Sequence, residues 1–480
     1  MGNKQSQTDS SPNIQVDHSN SIPNSRRLNQ IDSVFEKILT ASKLEDETES
    51  HNSLTLNDFV TYFQQKGASS YLSEQLFKSM CGSTEIKTVD SNDRKCTLSR
   101  KEFCKACSSV VELHGESNIQ EFYFTVYAEG RHMSKQALKI LTEDCFKLAL
   151  LSLGLNYDNK DVVNNLMDSL LKTLVSTGSE ISLDDFTRYC SRHFPRLLSG
   201  VHCFTSQLLL GEVQPPIEVS SDIERLMNGT CILDLGALWL LTCVLPLTYT
   251  TSDLTGDSQS VTHVQNPLAG AAISSPWHNL YSSNDHGLSM NRFQNHVFSY
   301  RGPTVSVISF EGGHSFAVAV DEEWREGSSR WGQETSTLIT CIFHELQPQF
   351  RFMKAGAGLM YYNQNNRNLP RCIQVGCDSK SLVLVIDTDF TTVTYYGVQY
   401  KLYNIESPIM VCNINCTVLS IEVWGCGGND VRGDQEKQKQ WERKEAQKHA
   451  QRKLKLEDWR DNPDKQLLEL GGVSTEHAQR

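Results

Sequence analysis

The stretch WHNLYSSNDHGLSMNRFQNHVFSYRGPTVSVI, Trp277–Ile308, supports two different readings of this chain. Asp285, His286 and the serines at 282, 283 and 289 are the ingredients of a hydrolytic site. Asp285 and His286 are adjacent, however, and neighbouring side chains diverge, which is poor geometry for a carboxylate that must orient an imidazole. The second reading is architectural. Thr304–Phe310, TVSVISF, is β-branched and apolar and follows a Gly-Pro turn, so it reads as a strand.

Downstream the same texture recurs. Ser315–Val320, Thr337–Glu345, Leu382–Phe390 and Val418–Gly425 all read as strands, and Glu311–Ser315 (EGGHS) reads as a hairpin turn. Short loops leave little room for parallel crossovers, so an antiparallel sandwich is expected. GHSFA at Gly313–Ala317 is no nucleophile elbow, because Ala317 stands where the second glycine is required and a strand follows. GAG at Gly356–Gly358 has no acidic ribose partner, and His278, His286 and His296 lack zinc spacing. No catalytic residue, metal site or cofactor is assigned.

Upstream, residues 28–210 carry the helical period of apolar residues at i, i+3 and i+4. A repeat runs through them: LTLNDF from Leu54, LSRKEF from Leu98, LTEDCF from Leu141 and ISLDDF from Ile181, at spacings of 44, 43 and 40 residues. Each resembles the end of an EF-hand loop, with an apolar residue, a Ser/Thr that also caps a helix, and an acid or Cys three positions later. The second unit places Lys95 and Cys96 where a ligand and a glycine belong, and the third places Cys145 where the carboxylate is required, so calcium binding is not expected. Cys104 and Cys107 are read as ordinary cysteines one helical turn apart.

Composition bounds the function. The chain has 480 residues, 15 cysteines and a formal charge of −12, which excludes a general nucleic-acid binder. An odd, scattered cysteine count beside a polar N-terminus indicates reduced thiols in the cytosol. Cys231–Tyr249 is the longest apolar run, but Asp234 and Pro246 interrupt it, so it reads as a buried helix. Pro215 and Pro216 mark a linker and Thr250–Pro267 an exposed loop. The first 27 residues read as a disordered tail, and MGNKQS offers Gly2 for N-myristoylation. One myristoyl chain binds membranes only marginally, so a protein partner must add a second attachment. Residues 432–480 form a charged helix and tail, with ten Lys/Arg against six Asp/Glu between Arg432 and Arg460. Trp441, Arg443, Lys444 and Trp459 there are candidate partner contacts.

With these pieces in place, Trp277–Ile308 resembles the opening of a TLDc domain: LYSS, HG and S, a helix, then GPT entering an apolar strand. DEEW at Asp321–Trp324, the glycine-led segment Ile373–Phe390 and IEVWG at Ile421–Gly425 are similar to later parts of that domain, over about residues 230–426. GGHSFAVAV departs from the family pattern in lacking a second glycine after the turn. The motif residues carried by the resemblance, as structural or partner-binding positions, are Trp277, Leu280, Tyr281, Ser282, His286, Gly287, Ser289, Gly302, Pro303, Gly376, Glu422 and Trp424. The resemblance implies an α+β chain: an all-α EF-hand-like region, then a TLDc antiparallel β-sandwich flanked by helices, then a charged C-terminal helix. The MGN start and charged tail further resemble a membrane-tethered branch of the family. That implies residence on the cytoplasmic face of lysosomal membranes, with V-ATPase subunits and mTOR-pathway proteins as partners, and the lipid signal together with the missing catalytic constellation indicates a non-enzymatic adaptor. Two alternatives stay open: an oxidative-stress resistance factor with weak hydrolytic activity or redox activity at Cys372 and Cys377, and a calcium-sensing EF-hand protein.

Overall fold

The computed structural model describes residues 24–42, 53–83, 96–128, 130–152, 155, 180–211, 221–250, 277–312, 314–342, 349–354, 356–377, 382–396, 414–451, 467 and 470–471. Gly2, the paired prolines, the loop after Thr250 and Trp459 lie outside them.

The N-terminal part is built from helices joined by short strands. Helix α1 (Asn24–Ser42) starts inside the segment read as tail, and its apolar face buries Ile31, Val34, Phe35 and Ile38. Strand β1 (Ser53–Thr55) leads into α2 (Leu56–Gln65), followed by α3 (Ser70–Ser83). Strand β2 (Thr97–Ser99) leads into α4 (Arg100–Val111), followed by α5 (Glu116–Tyr127). The two strands pair antiparallel through Leu54 and Leu98. Thr55 with Asp58, and Ser99 with Glu102, close reciprocal capping boxes, which is why each strand turns directly into its helix. Cys104 and Cys107 both lie on α4, as their spacing indicates.

The third repeat falls elsewhere than the pattern at Leu141 suggests. Strand β3 is His132–Ser134 and pairs with β4 (Glu180–Ser182), while Leu141 sits buried in the middle of α6 (Lys135–Leu151). Ser134 is the cap, accepting from the Ala137 N–H at 3.2 Å. The misreading has a plain cause: Thr142 resembles a cap in sequence, but its hydroxyl bonds back to the Leu138 carbonyl within the helix. After α7 (Leu183–His193), α8 (Ser199–Leu210) packs on α6 so closely that a Cβ on Gly200 would lie 2.5 Å from Ala149 Cβ. A second correction concerns the thiols: Cys81 is joined to Cys96 by a disulfide.

Helix α9 (Ser221–Met227) precedes α10 (Leu235–Val244), which Asp234 caps by accepting from the Ala237 N–H at 2.7 Å. The long apolar run is thus a ten-residue buried helix, and no described helix is long and apolar enough to cross a membrane.

Among the described residues, the C-terminal part is one continuous antiparallel sheet of ten strands. In chain order these are β5 (His278–Ser282), β6 (Thr304–Phe310), β7 (His314–Val320), β8 (Thr337–Ile342), β9 (Gln349–Lys354), β10 (Met360–Asn363), β11 (Cys372–Val375), β12 (Leu384–Asp387), β13 (Thr392–Tyr395) and β14 (Ile414–Gly425). Helices α11 (Ser283–His286) and α12 (Met290–Val297) follow β5, and α13 (Gly428–Gln451) ends the described chain apart from residues 467, 470 and 471. Spatially the order is β10-β11-β12-β13-β14-β6-β7-β8-β9, with β5 also on β14. Strand β14 is the seam. Its first residues pair with β13 and its last with β6 and β5, and its register against β6 shifts between Val418 and Ser420. The two arms meet over one inner core, to which Ile308, Phe316 and Leu338 contribute from one side and Ile373, Ile386 and Val393 from the other.

Alternate residues along β6, β7, β8 and β14 serve a second core. Val305, Val307, Ala317, Ala319, Ile339 and Trp424 face α10 and the N-terminal helices. With both faces covered, apolar residues fall on successive positions of these strands, as at Val307–Ile308, Phe316–Val320 and Leu338–Ile339, instead of strictly alternating.

Candidate functional site

The site is assembled where the Trp277–Met290 stretch, the end of α12, the end of β14 and the root of α13 meet. Trp277 is buried and donates from Nε1 to the Tyr249 carbonyl at 2.9 Å, tying β5 to the segment after α10. Leu280 and Tyr281 are buried, and the Tyr281 hydroxyl donates to the Gly287 carbonyl at 2.7 Å. Gly287 has φ of 76°, which only glycine adopts without cost. Ser289 occupies the N-cap of α12 with no side-chain bond to its amides.

The polar residues do not form a relay. Asp285 pairs with Arg225 of α9, and the His286 Nδ1 instead accepts the Ser282 backbone N–H at 3.2 Å. Ser282 is buried, and the Ser283 hydroxyl accepts the Ile421 N–H at 2.9 Å. The His286 and His296 rings lie 3.8 Å apart between centroids. Burial, then the neighbouring His286, Lys439 and Arg432, push His296 down to about 4.

Glu422 is fully buried yet satisfied. Its carboxylate accepts the Ile232 N–H at 2.9 Å, the Leu233 N–H at 3.2 Å and the Trp424 Nε1–H at 3.3 Å. Burial raises its pKa against the lowering effect of those bonds. The residue clamps the approach to α10 onto the sheet. Pro303 accepts the Cys426 N–H at 2.8 Å, and Gly302 packs near Tyr300 and Val431 where a side chain would crowd. Gly376 lies apart, on the far arm, donating to the Leu359 carbonyl at 2.8 Å and accepting from Arg330.

Helix α13 is fixed by residues that the motif reading passed over. Gln435, buried, donates from Nε2 to the His296 and Phe298 carbonyls at 3.0 and 3.1 Å. Lys439 Nζ donates to the same His296 carbonyl at 2.9 Å, placing a cation at the C-terminal end of α12. Burial, then Arg432 and Arg443, push the Lys439 amine down to about 8. The available signal was the i, i+4, i+8 stripe Val431, Gln435, Lys439, inconspicuous because two of its three members are polar. Beyond the root, Trp441 is 59% exposed, and Arg443 and Lys444 are exposed as well.

Between the two sheet arms, a cavity lined by Phe293, Ile308, Val318, Trp324, Met360 and Phe390 holds about 10 Å³. That is room for about one water. Cys372 is buried on β11 with its thiol pKa raised by burial, so it is a poor nucleophile. Among the described residues no group of His, Cys, Asp and Glu is arranged to hold a metal ion.

A family model, TLDc domain, matches residues 251–427, so the C-terminal sheet with its seam strand is a TLDc domain. The curated relatives lie in the same range. The chain is 27% identical over 184 residues to restriction of telomere capping protein 5 of Vanderwaltozyma polyspora, covering 34% of this chain and 31% of that one. The Colletotrichum graminicola protein of the same name is 23% identical over 248 residues, 40% of this chain and 39% of that one. MTOR-associated protein MEAK7 of Danio rerio is 27% identical over 169 residues, 34% of this chain and 35% of that one. The chain thus spans between about a third and two fifths of the length of these relatives.

Proposed function

We propose that this protein is a non-enzymatic adaptor that regulates a membrane-bound partner through its TLDc domain and its C-terminal helix. The observation that carries the reading is α13. Its root is fixed to the domain by Gln435 and Lys439, and its outer turns present Trp441, Arg443 and Lys444 to solvent. Tryptophan and arginine, here exposed two positions apart at Trp441 and Arg443, are the residue types enriched at interface hot spots.

The partner in this reading is the V-ATPase of lysosomal membranes, and the setting is mTOR-linked growth signalling. Its supports are the TLDc domain, the similarity to a protein named as mTOR-associated, and the M-G-x-x-x-[ST] start that offers Gly2 for myristoylation. A single lipid and a protein contact together give the two attachments that stable residence requires.

The test is co-purification of full-length protein with detergent-solubilised V-ATPase. Gly2→Ala should still bind the solubilised pump while losing its membrane fraction. The combined variant Trp441→Ala, Arg443→Glu, Lys444→Glu should lose at least tenfold in affinity. Absence of binding by the wild-type chain to any pump subcomplex would remove the partner, and unchanged binding by the triple variant would remove the helix from the interface.

A further inference from the structure

Cys81 closes the last turn of α3, and Cys96 immediately precedes β2. Their crosslink has a Cα–Cα separation of 6.7 Å and spans 15 residues of sequence. It therefore fastens α3 to a strand held to its partner β1 by only three paired residues. A reduced pair would leave that strand pairing without its tie to α3, held by its three paired residues and the packing of Leu54 and Leu98.

The other cysteines explain why oxidants would act here. Of the eleven free cysteines in the described residues, Cys107, Cys145, Cys190, Cys203, Cys243, Cys372 and Cys426 are buried. Burial raises the thiol pKa at Cys104, Cys107, Cys145, Cys190, Cys231, Cys243, Cys372, Cys416 and Cys426, and so suppresses the nucleophilic thiolate. Cys96 is exposed, and Cys81, partly buried, stands beside it as a resolving thiol. Exposure with a neighbouring resolving cysteine is the arrangement that makes a thiol selectively oxidisable.

We propose that Cys81 and Cys96 form a reversible oxidation site, crosslinked by peroxides and reopened by small thiols, that locks or loosens the N-terminal helical part. The Cys96 thiolate attacks a peroxide oxygen. The O–O bond breaks, sulfur is oxidised to the sulfenic acid, and the peroxide leaves as an alcohol or, from hydrogen peroxide, as water. The Cys81 thiol then attacks that sulfur, forming the S–S bond and releasing water. Two equivalents of an external thiol such as glutathione reverse the step by exchange, leaving two protein thiols and one oxidised glutathione. This site is independent of any V-ATPase contact.

The experiment uses the full-length chain, fully reduced and then exposed to hydrogen peroxide at a few equivalents. Differential alkylation with mass spectrometry reads each cysteine, and thermal unfolding reads the consequence. The Cys81–Cys96 bond should form before any other thiol is lost. It should raise Tm by several degrees, as closing a loop of this size implies, and millimolar glutathione should return both readings. Cys81→Ser should accumulate a dimedone-reactive sulfenic acid at Cys96, and Cys96→Ser should abolish the Tm response. The Cys372→Ser, Cys377→Ser double variant should respond like the wild type. Earlier oxidation at another cysteine, a Tm indifferent to oxidation, or a bond that glutathione fails to open would each overturn the proposal. Should a serine variant fail to fold, the oxidised and reduced wild-type chain still decides it.

Discussion

Gly425 has no room for a side chain, because a Cβ there would lie 2.5 Å from Tyr300 Cζ. The Tyr300 ring is held in place, since its hydroxyl accepts the Gly427 N–H at 2.7 Å. Gly425→Ala should therefore destabilise the protein by about 1–3 kcal/mol, the usual cost of overpacking, read as a lowered urea midpoint at unchanged m-value. Histidines act at the same scale. Burial holds both His202 and His296 neutral, each pushed from 6.5 down to about 4. The unfolded chain binds these protons more tightly, so stability should fall as pH drops from about 6.5 to about 4 and level off below. Unfolding curves across that window check the slope, and replacing both residues with glutamine should flatten part of it.

Among the elements, α13 is the one whose placement depends on polar contacts. Gln435→Ala leaves the His296 and Phe298 carbonyls without its amide, although Lys439 still reaches the first. A lost buried hydrogen bond is worth about 1–2 kcal/mol, so amide exchange at the root of α13 should quicken by roughly tenfold while the sheet is unchanged. Equal exchange in both proteins would mean that Val431 and Tyr300 hold the helix without Gln435. The strands show how far local pattern reaches. Thr304–Phe310 was legible because its β-branched run is buried on both faces, and β7 and β8 begin within one residue of the runs that announce them. Strands β10 and β13 escaped notice. They are four residues each, and MYYN and TVTY are too brief for a period to show.

At the scale of the molecule, α10 joins the two parts. Trp239 packs against Phe146 of α6 at 5.3 Å between ring centroids, and it shares a core with Val305, Ala317 and Trp424 of the sheet. Trp239→Ala should cost about 3–5 kcal/mol. Because the cavity opens between the parts, helical and tertiary signals should still lose structure in one coincident transition in the wild type but separate in the variant. Coincident transitions in both would show that Glu422 and its bonds to Ile232 and Leu233 suffice to couple them.

Sequence by itself determined the helical half, the antiparallel character of the C-terminal half, the burial of the Cys231–Tyr249 run and the TLDc resemblance of Trp277–Ile308. Those readings rest on periodicity, caps and turn residues, which are local. Tertiary structure alone decided that Asp285 meets Arg225 and not His286, that the third helical unit starts at Ser134, and that Cys81 reaches Cys96. It also decided that one seam strand, β14, carries both sheet arms and that Gln435 holds the last helix. Each of these is a contact between residues distant in the chain or a choice between two competing local patterns. Local pattern does not settle either kind of outcome, because the deciding free energy comes from packing that exists only once the chain has folded.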